Sequence, residues 1–296
     1  MAAAESLAGP SLPAGTLYLV GTPIGNLEDM TFRAVRVLKQ VDQIAAEDTR
    51  HTGRLLQHFQ IATPQISYHE HNRQQRIPQL LALLQSGQTL ALVTDAGMPG
   101  ISDPGYELVC ACVEAGIPVV PIPGPSAVVT AVAASGLPSD RFVFEGFLPL
   151  KTKLRQTRLS QLQAEPRTIL LYESPHRLAK TLGELADALG TDRPVVLARE
   201  LTKRYEEFWR GTLAEALAHC QQQAPRGEFV VAIAGAPSET QCPSDADLTA
   251  ALQALIATGL SPSQASRQLA QQMNMPKRKI YELSLGLSEL PSDSTE

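Results

Sequence analysis

A chain of 296 residues is long enough for two ordinary domains with separate cores, and 44% hydrophobic against 19% charged residues excludes a disordered chain. No apolar run approaches the ~20 residues needed to span a bilayer. A formal charge of −5 excludes wholesale coating of nucleic acid, although clustered basic residues leave a focused footprint open.

Residues 1–15 contain Ala, Ser and Pro without a basic start or an apolar centre. They are expected to form a loose, disordered tail rather than a secretory signal, so the product is expected in the cytoplasm. From residue 16, apolar runs alternate with helical periodicity. A short apolar run at 16–20 ends at Gly21, and a Gly/Pro turn leads to a predicted helix over 31–41. There Ala34, Val37, Leu38 and Val41 form one apolar stripe. A strand is predicted at 43–46, then a helix through Leu55, Leu56 and Phe59. A helix over 77–84 closes at Gly87, where a left-handed cap is wanted. Strand 89–94, helix 106–115, strand 117–122 and helix 126–135 follow. This alternation specifies a parallel sheet covered on both faces.

The pattern resets around residues 136–140. An aromatic strand at 142–147 precedes a basic helix over 151–162 and a strand at 168–172. Ser174 as N-cap and Pro175 in the first turn open a helix that keeps Leu178, Leu182, Leu185 and Leu189 in register and stops at Gly190. Strands at 194–198, 206–210 and 228–234 succeed one another closely, which predicts a more antiparallel sheet. The expected architecture is α/β: one domain over 16–137, a second over 138–237, and a helical module over 246–290 after a polar linker. In that module, helices at 250–256, 262–273 and 276–285 are broken by Gly259 and by residues 274–276. Ser261 caps the middle helix, and Lys277, Arg278 and Lys279 open the last. This order suits a helix-turn-helix-like module or, equally, a packing or dimerisation appendage.

Cys110, Cys112, Cys220 and Cys242 lack the spacing of a zinc site. They read as small apolar residues in a reducing compartment, and no metal is expected.

Four loops come directly after predicted strands, and a parallel sheet brings such loops to one crevice at its carboxyl ends. They are Gly21-Thr-Pro-Ile-Gly25-Asn26, Glu47-Asp48-Thr49-Arg50-His51, the stretch from Asp95 to Gly105, and Pro121-Ile-Pro123-Gly124-Pro125-Ser126-Ala127. The first matches neither a dinucleotide fingerprint nor a phosphate-cradling P-loop. The third holds three glycines and two prolines, a rigid path where backbone can approach a ligand closely. Its Asp95 and Asp103 can receive ribose hydroxyls or an ammonium group, and the spacing of a calcium loop is absent. The fourth opens an apolar helix whose free N–H groups can hold a carboxylate or an adenine edge, though capping alone would also account for Ser126.

In this order, and with Tyr172-Glu-Ser-Pro-His-Arg177 and Arg199-Glu-Leu-Thr-Lys203 after them, the motifs resemble the tetrapyrrole-methylase-fold (class III) methyltransferases. The likeness is greatest to the members that methylate ribose in ribosomal RNA, and it runs from about residue 15 to 235. It implies a two-domain α/β enzyme, usually a homodimer, that binds S-adenosylmethionine in the cleft between its domains. The donor contacts so implied are Ile24; Asp95, Gly97, Met98, Pro99, Gly100 and Ile101; Ser126 and Ala127; and Tyr172. The implied acceptor is the 2′-hydroxyl of a decoding-centre cytidine in 16S rRNA, within an assembled small ribosomal subunit.

For that chemistry Glu47 and Asp48 are candidates for the base or a ribose contact, with Arg50 on the adjacent phosphate. The alternative is structural, with Asp48 as an N-cap and Arg50 as its ion-pair partner. Glu173, His176, Arg177, Glu200 and Lys203 are expected as a second polar set facing the cleft. Lys151, Lys153, Arg155 and Arg158, together with Lys277, Arg278 and Lys279, are expected to grip RNA phosphates. Two other readings stay open: a precorrin or porphyrin methylase of the same fold, and a non-catalytic RNA-binding assembly factor.

Overall fold

The computed structural model describes residues 11–237, 245–273 and 275–287. Among these the chain divides into two compact units, up to Ala236 and from Pro237 onward.

The first half of the larger unit comprises β1 (Leu17–Val20), α1 (Phe32–Gln40), β2 (Gln43–Ala46), α2 (Thr49–His58), β3 (Gln65–Ser67), α3 (Arg73–Gln85), β4 (Leu90–Val93), α4 (Tyr106–Glu114), β5 (Val119–Ile122) and α5 (Ala127–Ser135). Its strands form a parallel sheet in the order β3-β2-β4-β1-β5. Successive strand residues face opposite sides. Leu90 and Leu92 of β4 therefore pack with Leu84 and Leu108, while Ala91 and Val93 pack with Val37 and Leu38. A strand covered on both faces has no polar side, which is why these strands read as unbroken apolar runs.

Three details depart from the expected pattern. The short strand β3 was not anticipated. Helix α3 begins at Arg73, because Asn72 accepts the His69 N–H (2.9 Å) and its own carbonyl takes the N–H of Arg76 (3.0 Å), leaving Pro78 inside the helix. Order also starts before residue 16: Leu12 packs on the core and Gly15 donates to the Gly87 carbonyl (3.0 Å). Residues 1–10 of the expected tail lie outside the described residues.

The second half contributes β6 (Phe142–Gly146), α6 (Thr152–Leu162), β7 (Thr168–Glu173), α7 (Pro175–Leu189), β8 (Pro194–Arg199), β9 (Glu207–Thr212), α8 (Leu213–Gln222) and β10 (Phe229–Ile233). The sheet order is β6-β7-β10-β8-β9, with β6 parallel to β7 and the other pairs antiparallel. Ile169, Leu171, Val195 and Val231 face α7 and α8. Leu170, Val196, Val230 and Ala232 face α5 through Val128, Ala131 and Val132. Helix α5 thus comes after the first sheet in sequence and packs on the second. Helix α8 was not anticipated, and a reciprocal capping box between Thr212 and Glu215 starts it. Ser174 precedes α7 as expected, but its hydroxyl makes no capping bond.

The smaller unit holds α9 (Asp245–Ala257), α10 (Pro262–Gln272) and α11 (Lys277–Leu287) around Leu248, Leu252, Leu269 and Ile280. Ser261 and Gln264 form the capping box of α10. The linker over 238–244 with Cys242, and residues 288–290 of the expected module, lie outside the described residues. Cys112 and Cys220 are buried and Cys110 half-buried, all as free thiols. Among the described residues no helix is long and apolar enough to cross a membrane.

Candidate functional site

The four loops converge at the carboxyl ends of β1, β2, β4 and β5, held by backbone contacts. Thr22 and Gly97 exchange reciprocal N–H···O bonds (2.9 and 3.0 Å), and the buried Thr22 hydroxyl donates to the Thr94 carbonyl (3.0 Å). Gly21 donates to Ile122 (3.2 Å), and its Cα lies against Gly124 so closely that a Cβ on Gly124 would sit 2.8 Å from it. The Glu47 carboxylate accepts the Asp95 N–H (3.3 Å), which ties the second loop to the third.

These loops, the start of α5 and the ends of the second sheet enclose a cavity of about 480 Å³. Seven of the expected donor contacts line it: Ile24, Gly97, Met98, Ile101, Ser126, Ala127 and Tyr172. Asp95, Pro99 and Gly100 shape its third loop without lining it; Gly100, at φ +83°, donates to the Pro104 carbonyl (3.2 Å). The Ser126 hydroxyl does not cap α5, so it and the first-turn N–H groups are left to the cavity side. The second half adds Phe147, Glu173, Leu201, Glu228 and Val230.

This lining suits a nucleoside bearing an amino-acid tail. The walls are apolar at Ile24, Ala127 and Tyr172. Gly97, at φ +83°, lets backbone reach the surface where a side chain would project toward Ile24. Oδ1 of Asp95 is buried beside the cavity without a hydrogen-bond partner among the described residues, an acceptor suited to an ammonium or hydroxyl group.

Asp103 lines the cavity, and burial, reinforced by the neighbouring carboxylates of Glu47 and Asp95, pushes its carboxyl up to about 7. Burial likewise raises Glu47, offset in part by the Asp95 N–H that its carboxylate accepts. The Tyr172 hydroxyl is raised to about 12 by burial and by the charge of Asp103. In the turn after β8, Lys203 donates to Glu200 (2.9 Å) and Glu228 (2.8 Å). Burial opposes the Lys203 charge, but these two carboxylates outweigh it and raise its ammonium above the usual range. Glu173 is almost fully buried; it accepts from the Thr181 hydroxyl (2.6 Å) and the Ser174 N–H (2.8 Å), and Arg177 lies 3.4 Å away.

The remaining expectations meet the structure unevenly. Glu47 is half-buried beneath Asp95 and does not line the cavity. Asp48 caps α2 through the Arg50 N–H (2.8 Å) and takes Nε (3.0 Å) and Nη2 (2.7 Å) of Arg50. That pairing holds its carboxyl well below the usual range, so the structural role weighed for this pair is the one observed. The Arg50 side chain remains 86% exposed. Lys151 and Lys153 are exposed, and Arg158 pairs with Glu145 (3.1 Å).

Arg155 is a correction. It is 6% exposed, with Nε on Glu184 and Nη2 on Thr181 (2.7 Å), so its guanidinium is used inside the protein and does not reach a phosphate. In α11 Lys277 is exposed, Arg278 pairs with Glu282 (3.0 Å) and Lys279 with Asp245 (3.5 Å). The sequence pattern did not single out Asp103 as the perturbed carboxyl, nor did it assign Phe147, Leu201 or Glu228 to the site. The two carboxylates of one Gly/Pro loop were visible, but which of them would be buried beside Glu47 was not.

Residues 16–217 match the family described as tetrapyrrole (corrin/porphyrin) methylases. The chain is 60% identical over 274 residues to "Ribosomal RNA small subunit methyltransferase I" of Synechocystis sp., covering 92% of this chain and 98% of that one. It is 50% identical over 274 residues to the protein of the same name from Escherichia coli O157:H7, covering 92% and 95%. Among solved structures it is similar to the uroporphyrin-III-C-methyltransferase of Thermus thermophilus (TM-score 0.54, 22% identity, 74% of this chain and 94% of that one). A structure of that enzyme complexed with S-adenosyl homocysteine superposes with a TM-score of 0.52 at 19% identity, covering 73% and 96%. By sequence and by fold, the chain belongs to the tetrapyrrole methylase family.

Proposed function

We propose that this protein transfers a methyl group from S-adenosylmethionine to the ribose 2′-hydroxyl of a cytidine in the decoding region of 16S rRNA. It acts as a cytoplasmic homodimer on the small ribosomal subunit. The observation that carries the reading is the cavity in which Asp103, its carboxyl raised to about 7 by burial, stands beside seven residues suited to a nucleoside donor. High identity to proteins named as small-subunit rRNA methyltransferases supports the choice of RNA as acceptor.

The donor supplies an electrophilic methyl with its own leaving group, so the protein need form no covalent bond to either substrate. The chain's part is then positioning and proton handling. Ile24, Gly97, Ile101, Ala127 and Tyr172 fix the donor, and holding the reactants at near-attack distance can supply on the order of 7–11 kcal/mol. Asp103 is suited to take the hydroxyl proton, because a base is most effective when its pKa lies near the working pH, a contribution of about 10²–10⁴-fold. Glu47 assists from behind by keeping that pKa high. The outward face of Arg50, positioned by Asp48, is assigned to a neighbouring phosphate. Lys151 just before α6, Lys153 and Arg158 on it, and Lys277, Arg278 and Lys279 on α11, are assigned to further phosphates.

The test supplies the purified protein with tritium-labelled donor and, in parallel, small ribosomal subunits, naked 16S rRNA and a porphyrinogen. Ribose methylation is then mapped by mass. Label in one cytidine 2′-O position supports the reading. Label in the porphyrinogen alone would transfer the assignment to tetrapyrrole methylation, and donor binding without any transfer would favour a non-catalytic assembly factor.

A further inference from the structure

Strand β6 ends in a bulge: Phe144 pairs with Leu170, but the next register partner, Leu171, faces Gly146 instead of Glu145. One residue is extra, and a bulge bends its strand and re-aims the side chains beyond it. Gly146 takes φ +62° to complete the turn. The re-aimed residue is Phe147. It lines the cavity yet is 53% exposed, and its ring meets Tyr172 at 5.6 Å between centroids with planes 60° apart. Tyr172 is braced in turn by Phe144 at 4.9 Å. The ring is therefore held in orientation while more than half of its surface stays open.

Further along the chain, into the start of α6, more side chains are exposed. Leu150 is 81% and Leu154 56% exposed, and between them Lys151 and Lys153 make no ion pair among the described residues. An open aromatic plane at the cavity mouth, followed in the chain by apolar side chains and unpaired cations, matches a ligand with a flat apolar face on an anionic chain. Single-stranded RNA has both. We infer that Phe147 is the stacking platform for the nucleobase attached to, or next to, the ribose presented to Asp103, with Lys151 and Lys153 on the adjoining phosphates. This rests on the assignment of RNA as acceptor made above. The residues assigned above to fixing the donor, Ile24, Gly97, Ile101, Ala127 and Tyr172, do not include Phe147.

The test measures binding of small ribosomal subunits, prepared from cells lacking this protein, to full-length wild type, F147A, F147L and F147W at several salt concentrations. Donor affinity is measured separately by calorimetry. Base–aromatic stacking predicts that F147A weakens subunit binding by roughly 5- to 150-fold, that F147L recovers only part, and that F147W restores it to within about threefold. Because a ring releases no counterions, the salt slope of F147A should equal that of the wild type, whereas K151E/K153E should flatten it. Donor affinity should be unchanged. Equal subunit binding by F147A and wild type overturns the inference, as does a tenfold loss of donor affinity in F147A, which would make the ring a donor contact. Phe147-dependent binding of a porphyrinogen in place of RNA overturns it too. Phe147-dependent RNA binding by a wild type that transfers no methyl group would sink the reaction proposed above and leave this stacking role standing.

Discussion

Replacing Gly124 by alanine tests whether the loops form one rigid frame. A Cβ there would lie 2.8 Å from the Cα of Gly21 and 3.0 Å from its carbonyl carbon and oxygen. All three are backbone atoms, so no side chain can swing aside. Ordinary contact begins at 3.4 Å, and the loops must separate by about 0.6 Å. Gly21 is tied down by its bond to Ile122, and the next residue by the Thr22–Gly97 pair. The fourth loop is the one that must yield, carrying Ser126 and Ala127 with it. Forced overpacking of this kind costs about 1–3 kcal/mol, which a chain of this size survives. The site tolerates it less well, since catalytic positions are held within about 0.5 Å and a 1 Å error can cost about 10²-fold. We expect G124A to fold, to lose a few degrees in Tm, to bind donor at least tenfold more weakly by calorimetry, and to lose ~10- to 100-fold in kcat/KM. The control is G183A in the middle of α7, where an added Cβ meets nothing within 4 Å. It should raise stability by about 0.5–1 kcal/mol and leave activity alone. Wild-type donor affinity and turnover in G124A would refute the rigid-frame argument.

Arg155 and Asp103 give three further expectations. Substituting Arg155 with methionine leaves Glu184 and the Thr181–Glu173 pair short of a donor, so chemical denaturation should report a loss of about 3 kcal/mol; an unchanged midpoint would mean the guanidinium is not used internally. With Asp103 held near 7, methyl transfer should rise with pH through about 7 as its carboxyl ionises, and D103N should flatten the profile and lower the rate by ~10²-fold or more. The native state retains the Asp103 proton that the unfolded chain gives up near 3.8, the ordinary aspartate value, so stability should fall as pH rises from about 4 to about 7. That slope should shrink in D103N, and a profile unaltered by the substitution would remove Asp103 from the titration.

Much of the fold was legible because its elements obey simple periodicities. The central strands are covered on both faces and read as apolar runs; α1 keeps one stripe, with Thr31 accepting from Ala34 as its cap. The loops were visible because Gly and Pro mark where backbone must turn sharply or come close to something else. Strand β3 was missed because three half-buried residues are too few to display an alternation. Helix α8 was missed although Thr212 and Glu215 carry the spacing of a capping box. Arg155 was misread because the basic run was counted as charge and not as a helix: Arg155, Leu159 and Leu162 fall at i, i+4 and i+7, the buried side of α6. The carboxylates were harder for a different reason. Asp48 and Asp103 are alike in sequence, and only their surroundings separate them. One stands at the surface, paired with an arginine; the other is half-buried beside two further acids.

The site depends on the second half of the unit as much as on the loops of the first. A Cβ on Gly25 would press against Cγ of Lys203 and lie 2.9 Å from the Thr202 hydroxyl, so the first loop runs directly beneath the turn after β8. That turn holds Glu200 and Thr202 at positive φ, +48° and +66°, a conformation that costs a non-glycine residue of order 1–3 kcal/mol and persists only where its neighbours impose it. The neighbours here are identifiable. Lys203 is fixed by Glu200 and Glu228, Glu228 lines the cavity, and Gly227 lies so close to the Glu200 carboxylate that a Cβ there would be 2.6 Å from its oxygen. Strain in this turn is therefore balanced by charge pairs that also build the cavity wall, which explains why Arg199-Glu-Leu-Thr-Lys203 belongs among the motifs although none of its charged side chains lines the cavity.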